Sequence, residues 1–406
     1  MGVKKYETMN KYNFPKIILK SGKDRSALRL HPWIFSGAVK KTVGNALDGE
    51  NVAVYDNNEK FLGLGHYQKN GSISVRIFTF DEVNPDKEFW KKKILDAVKM
   101  RGILGYTGNP ETNVFRVIHG EGDGFPGFIC DYYDGILVFQ AHSLGMWKLE
   151  ETFKEIFLEN FSDKITAVYD KSDKTLPKSD GVVPENKFLF GSEYEKTVSE
   201  YGMKFLVNVI EGQKTGYFID QRENRNLLRQ YSKGKTVLNM FCYTGGFSVA
   251  ALKGGAKSVT SVDASQTAIN LTVKNGELNG FKDNHEAVAT DGFDFLDQME
   301  KDKYDLIILD PPAFAKHANV TNQAVKGYQR INRAAMEKIA PGSLLFTFSC
   351  SQAIDKQTFR MAVMEASLQA KRKVKILRQL TQPDDHPVSM YHPEGEYLKG
   401  LVLYVE

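Results

Sequence analysis

The sequence predicts an α/β protein. Its carboxyl-terminal half is a doubly wound, mostly parallel sheet, preceded by a small β-barrel and a small central α+β domain. Three observations carry that reading. From residue 235 onward, strand-like and helix-like segments alternate, as they do in parallel sheets with crossover helices. Residues 14–80 instead hold short strand-like runs separated by turn signals. The chain has 406 residues, too many for one core. The expected domains are 1–80, 81–190 and 191–406.

The first domain is read from Ile17–Leu19, Asn51–Tyr55, Phe61–Tyr67 and Ser72–Phe78, with Asp48-Gly49, Asn57-Asn58 and Asn70-Gly71 as turns. Residues 1–80 hold 13 Lys+Arg against 6 Asp+Glu, a net of +7 within a chain of net +4. A basic head on a near-neutral body suggests a polyanion-binding module. Lys23, Arg25 and Arg29 lie close to His31 and Trp33 in sequence. Basic residues interleaved with aromatics suit phosphate and base contacts, so these five are candidate RNA-binding residues. The plainer reading makes Trp33 a core residue.

The central domain is read from a helix over 81–100, strands at 114–119, 127–133 and 136–141, a helix over 147–160 and a strand at 165–169. The turn His119-Gly120-Glu121-Gly122-Asp123-Gly124 has too few carboxylates for a calcium loop. No metal site is expected. Residues 170–184 are polar and turn-rich, a seam before the last domain.

That last domain is organised around Lys235–Ser248, KTVLNMFCYTGGFS. A short apolar strand breaks at Tyr243-Thr244-Gly245-Gly246 and restarts as a helix. Glycines there let backbone approach a ligand, and the helix start offers free N–H groups. Further strands are expected at 258–263, 286–290, 304–310, 343–349, 374–380 and 398–405, the last two antiparallel. Asp263, Asp291 and Asp310 each end a strand, where open α/β sheets bind ligands. Asp263 suits ribose hydroxyls, and Asp291, with Phe293 beside it, suits an adenine. Each could instead be a helix N-cap. The turn lacks the GxGxxG of dinucleotide enzymes, which favours S-adenosylmethionine over NAD.

Asp310-Pro311-Pro312-Ala313-Phe314 follows the fourth strand. The prolines remove two N–H donors and stiffen the exit. Phe314 suits stacking on an extruded base. Cys350 sits at the end of the next strand, beside Asp310 in this topology. A thiolate there can add to C6 of a pyrimidine and make C5 nucleophilic. The cofactor's sulfonium and Lys316 are the expected nearby positive charges, and Lys316 is a further expected RNA contact.

VLNMFCYTGGFSVAA, SVDAS, LDPPAFAK, FSCS, GQKTGYFIDQREN and the tail DHP…EYLKGL resemble the ribosomal RNA large subunit methyltransferase I family. HPWIFSGAV and RVIHGEGDGFPG extend the resemblance over nearly the whole chain. It implies a PUA domain, a central domain and a class I methyltransferase domain with a Rossmann-like sheet. It also implies S-adenosylmethionine as cofactor, 5-methylcytosine formation in 23S ribosomal RNA and Cys350 as nucleophile. The family's cofactor motif falls on Asn239, Phe241, Tyr243, Gly245 and Phe247, with Asp263, Ala264 and Ser265, and with Asp291, Gly292 and Phe293. Phe218 and Arg222 are expected near the cofactor. Many RNA cytosine methyltransferases carry Pro-Cys where this chain has Pro311-Pro312, which leaves Asp310 as the candidate base.

Two other functions fit the same residues. Asp-Pro-Pro-x-Phe also resembles the motif of enzymes that methylate purine nitrogens, and Cys350 would then be dispensable. A ribosome-assembly RNA-binding protein without turnover is the alternative of another class. Ribosomal RNA is the expected partner, with a homodimer left open. No apolar run approaches the ~18 residues of a membrane span. Three scattered cysteines and an N-terminus without the apolar core of a secretory signal point to a cytoplasmic protein.

Overall fold

The computed structural model describes residues 13–179, 181–314 and 321–406. Their strands form three larger sheets and a hairpin. The first sheet contains β1 (Lys16–Leu19), β2 (Trp33–Phe35), β3 (Val39–Val43), β4 (Asn51–Tyr55), β5 (Phe61–Tyr67) and β6 (Ile73–Thr79). Its order is β2-β6-β5-β4-β1-β3, with β1 and β4 parallel and the other pairs antiparallel. Sequence reading missed β2 and β3. The first is three residues long, and the second, VKKTV, is an edge strand with mostly exposed side chains.

The second sheet contains β7 (Val114–His119), β8 (Phe128–Tyr133), β9 (Ile136–Ala141), β10 (Ala167–Asp170) and β11 (Lys187–Phe190), in the order β11-β10-β9-β8-β7. Helices Lys87–Ile103 and Glu150–Phe161 pack against it. Asp86 caps the first of them by accepting from Phe89 N. Trp90, Phe125, Phe128 and Phe153 share one buried cluster with Ile18, Tyr55, Leu64 and Phe78 of the first sheet. The two sheets therefore do not have separate interiors.

A hairpin, β12 (Glu195–Glu200) and β13 (Met203–Asn208), leads into the third sheet. Val198 and Phe205 of this hairpin pack with Tyr133 and Val138 on one side and Val249 and Ala250 on the other. The third sheet contains β14 (Thr236–Met240), β15 (Ser258–Asp263), β16 (His285–Ala289), β17 (Leu306–Leu309), β18 (Ser343–Ser349), β19 (Val374–Leu380) and β20 (Lys399–Val405). Its order is β16-β15-β14-β17-β18-β20-β19, and β20 alone runs antiparallel to its neighbours. Leu306–Leu309 is buried throughout, as expected of a central parallel strand covered on both faces. The chain order reverses between β14 and β17, so their carboxyl ends flank a crevice.

The segment between β19 and β20 crosses back to the central domain. There, Asp385 pairs with Arg222 (2.8 Å), and neither is exposed. Its carboxylate also accepts from Arg116 N (2.8 Å) and lies against His386 Nδ1 (2.9 Å). Its carbonyl accepts from Arg101 (2.8 Å). Burial alone would raise the Asp385 carboxyl, yet His386 and Arg222 hold it far below the usual range. Gly122 makes the seat possible, because a Cβ there would lie 1.9 Å from the Pro387 carbonyl oxygen. Asp385→Ala should therefore leave Arg222 buried without a counter-charge. Chemical denaturation should show a loss of about 3–5 kcal/mol.

Candidate active site

The crevice is built on a tight turn after β14. Phe241 (φ 58°), Tyr243 (φ 47°) and Gly245 (φ 76°) all adopt left-handed backbone. Phe241 and Tyr243 pay for this conformation in strain of about 1–3 kcal/mol each, which the surroundings must hold in place. Tyr243 N donates to Asp263 Oδ2 (2.9 Å), Tyr243 O accepts from Thr272 Oγ1 (2.8 Å) and Thr244 O accepts from Asn275 Nδ2 (2.8 Å). The Tyr243 hydroxyl accepts from Gln213 N (2.7 Å) and donates to Gly216 O (3.2 Å), tying the turn to the Gln213–Gly216 stretch. Gly245 is required, since a Cβ would meet Thr272 at 2.8 Å.

The expected cofactor residues take different places around this turn. Asp263 ends β15, Ala264 and Ser265 follow it, and Asp263 Oδ1 also accepts from Ser265 N (2.9 Å). Ser265 caps the helix Gln266–Leu278. Asp291 caps Gly292–Gln298, accepting from Phe293 N and Asp294 N through Oδ1 alone. Arg330 lies over the Phe293 ring, 4.4 Å from its centroid. Phe218 meets Tyr243 edge-on (5.2 Å). Asn239 and Phe247 are buried beneath the turn. Asn239 donates to Ser248 Oγ (2.8 Å), and Phe247 packs on Phe348. Arg222 corrects the expectation, because it does not face this turn. It is spent on Asp385 and on the Tyr106 ring, 4.3 Å away.

A second group forms where β17 and β18 end. Gln221 Nε2 donates to Asp310 Oδ2 (3.0 Å), and Asn224 Nδ2 holds the other end of that amide (2.6 Å). Burial, helped by the charge of Asp220, raises Asp310 from 3.8 to about 7. Tyr397 OH donates to Asp220 Oδ2 (2.7 Å). Burial and the charges of Asp310 and Asp220 push the Cys350 thiol up to about 12, with Lys214 opposing. Among the described residues Lys214 and Lys399 are cations whose charge is felt at the thiol, whereas Lys316 lies outside them. Lys399 donates to the carbonyls of Ser351 and Ile354 (2.5 Å each), and burial lowers it to about 8. Tyr328 accepts from Ser349 Oγ (2.9 Å) and meets Phe314 edge-on (4.9 Å). Phe314 is therefore half-buried, with Pro311 buried and Pro312 exposed beside it. Asp220, Gln221, Lys214 and Tyr397 fall within the motifs GQKTGYFIDQREN and EYLKGL, but the sequence alone assigns none of them an individual role.

The basic residues Lys23, Arg25 and Arg29 are exposed around a one-turn helix at Arg25–Leu28. His31 and Trp33 turn inward. Trp33 Nε1 donates to Glu121 (2.8 Å), and its ring lies 4.4 Å from His392. His31, His392 and Glu394 bring metal-type ligand atoms within 4.8 Å of one another. His31 Nδ1, however, accepts from Trp33 N (3.1 Å), so its ring proton sits on Nε2, facing Glu394 (3.2 Å). That set acts as a hydrogen-bonded clasp between the first sheet and the returning segment.

Comparison with known proteins agrees with this geometry. A model described as S-adenosylmethionine-dependent methyltransferase matches residues 184–392, and one described as a PUA-like domain matches 17–80. A SAM-dependent methyltransferase structure from Streptococcus mutans covers 96% of this chain and 99% of its own, at TM-score 0.82 and 24% identity. A methyltransferase complexed with SAH covers the same shares at TM-score 0.83 and 24% identity. The fold and crevice define a class I S-adenosylmethionine-dependent methyltransferase carrying a PUA-like domain. The ribosomal RNA large subunit methyltransferase I of Aeromonas hydrophila is 38% identical over 95% of this chain and 98% of its own length. That of Photobacterium profundum is 38% identical over 96% and 99%. The chain belongs to the ribosomal RNA large subunit methyltransferase I family. No helix among the described residues is long and apolar enough to cross a membrane.

The raised Asp310 carboxyl has a consequence for stability. A carboxyl at 3.8 when unfolded and about 7 when folded favours the folded state fully below pH 3.8. That contribution is lost as pH rises through about 7. Asp310→Asn should therefore gain melting temperature over the normal protein progressively between pH 4 and 7 and level off above. Parallel thermal scans across that range would check it.

Proposed function

We propose that the protein methylates C5 of a cytosine in 23S ribosomal RNA, with Cys350 as nucleophile. The observation that carries this reading is the neighbourhood of Cys350. The thiol stands at the carboxyl end of β18, next to the strand that delivers Asp310, at the edge of the crevice expected to hold the cofactor. S-adenosylmethionine supplies an electrophilic methyl group. Cytosine C5 is too weak a nucleophile until the ring is saturated at C6, which is what a thiolate does. The thiol must lose a proton and ring N3 must gain one as the Sγ–C6 bond forms. Asp310, raised to about 7, can take the first and deliver the second near neutral pH. After methyl transfer to C5, a base removes the C5 proton, N3 returns its proton to Asp310 and the Sγ–C6 bond breaks, returning the thiolate.

The cofactor cradle would be the left-handed turn Phe241–Gly245 with Asp263 and Asp291. Each oxygen of Asp263 receives one backbone N–H yet keeps a lone pair for a ribose hydroxyl. Asp291 Oδ2 is spared by the helix cap and is suited to an adenine amino group. The exposed Lys23, Arg25 and Arg29 supply phosphate contacts for RNA. The high thiol value favours a second reading, methylation of a purine nitrogen through Asp310 and Pro311, in which Cys350 is idle.

Incubation with labelled S-adenosylmethionine and ribosomal RNA from cells lacking the gene should yield 5-methylcytosine. Cys350→Ser should bind cofactor and RNA but lose turnover. RNA carrying 5-fluorocytosine should be trapped covalently on the normal enzyme and on Cys130→Ser, but not on Cys350→Ser. Normal turnover by Cys350→Ser would establish the purine reading instead. Asp263→Ala should weaken S-adenosylmethionine binding by about 1.5–3 kcal/mol in calorimetry, since a charged acceptor is lost.

A further inference from the structure

The Asp220 carboxylate is only half used. Its Oδ2 accepts from Tyr397 OH (2.7 Å), while its Oδ1 is buried and finds no hydrogen-bond partner among the described residues. A buried acceptor left unmade is costly, so it implies a partner that arrives with the substrate. Asp220 lies close enough to Asp310 and Cys350 for its charge to act on both. It is also fixed in place. Gln221 next to it is bonded to Asp310, and the helix that follows is pinned by Arg222 on Asp385 and Arg225 on Glu200 (2.6 Å).

The other carboxyl of the pair has the opposite character. Asp310 Oδ2 receives the Gln221 amide, which leaves Oδ1 as the oxygen that can carry a proton. A carboxyl that donates beside a carboxylate that accepts is complementary to one edge of cytosine. There, N3 accepts and the exocyclic amino group donates. Uracil presents the reverse order, N3–H and O4, and would face each group with its like.

We propose that Asp220 selects cytosine, its Oδ1 accepting a hydrogen bond from the exocyclic amino group of the target base while Asp310 faces N3. This assignment rests on the cytosine reading above. A site that leaves a buried acceptor unpaired rejects a base lacking the matching donor, so Asp220 supplies discrimination as well as binding.

The test removes the two partners separately. The modified position is mapped, and a fragment of that RNA is made with cytosine, 2-pyrimidinone or uracil there. The 2-pyrimidinone base is cytosine without the amino group. The normal enzyme should lose about 10- to 100-fold in kcat/KM when the amino group is deleted. Asp220→Asn should lose at most a few-fold for the same deletion and should narrow the gap between cytosine and uracil. This non-additivity is the signature of a direct contact. S-adenosylmethionine binding by calorimetry reports whether the variant is folded. If it is not, Tyr397→Phe keeps the carboxylate but frees it to turn, and should cut the amino-group preference several-fold. Undiminished preference in the folded variant, or in Tyr397→Phe, would overturn the assignment while 5-methylcytosine formation stood. A methylated purine as the product of the normal enzyme would overturn the cytosine reading itself, and this assignment with it.

Discussion

Everything at the second site depends on how Arg222 is held. Its guanidinium pairs with Asp385 where neither side chain meets solvent. Removing two charges from water is expensive, and the cost is recovered only in a fixed, well-bonded arrangement. Three residues on, Arg225 makes a bidentate pair with Glu200 of β12. The start of helix Arg222–Tyr231 is thereby clamped to the hairpin on one side and to the returning segment on the other. Asp220 and Gln221 immediately precede it, so they cannot drift from Asp310. Stability and chemistry meet in six consecutive residues, Ile219–Asn224.

This clamp also explains the electrostatics of the crevice. Two carboxyls are brought together in a poorly solvated place, and the charge of Asp220 adds to burial in opposing ionisation of Asp310. Asp310 is raised to about 7, and the thiol is raised as well. The arrangement therefore keeps protons in the site when no substrate is bound. That suits chemistry in which protons must be moved in step with bond making.

Much of the last domain was legible because parallel strands buried on both faces read as apolar runs. Ser258–Asp263 and Ser343–Ser349 are such strands, with the bounds the sequence suggested, and Val374–Leu380, a largely exposed edge strand, also has the suggested bounds. The carboxylates at strand ends were visible for the same reason, since topology puts strand ends together. Side-chain pairs across the chain were not visible. Gln221 and Asp310 are 89 residues apart, and Arg222 and Asp385 are 163 apart. Arg222 reads as a cofactor residue because its neighbours in the motif suggest a ligand site, while its partner lies out of local view. Trp33 reads equally as an RNA contact or a core residue, and only its bond to Glu121 reveals the joint it makes. The spacing of Arg222 and Arg225, one helical turn apart beside an Asp and a Gln, was the one local hint of the clamp.

The long sequence separation of Arg222 and Asp385 bears on how the protein is made. A chain leaves the ribosome amino-terminus first, and its domains usually fold in that order. Here the order cannot be completed. Residues of the first sheet share their core with Trp90, Phe125 and Phe153, so the sheet waits for the central domain. Arg222 waits much longer, because its counter-charge is synthesised 163 residues later. Until then its guanidinium must stay in water and the crevice stays unassembled. The crevice is thus completed only once two segments 163 residues apart have both been made and have met.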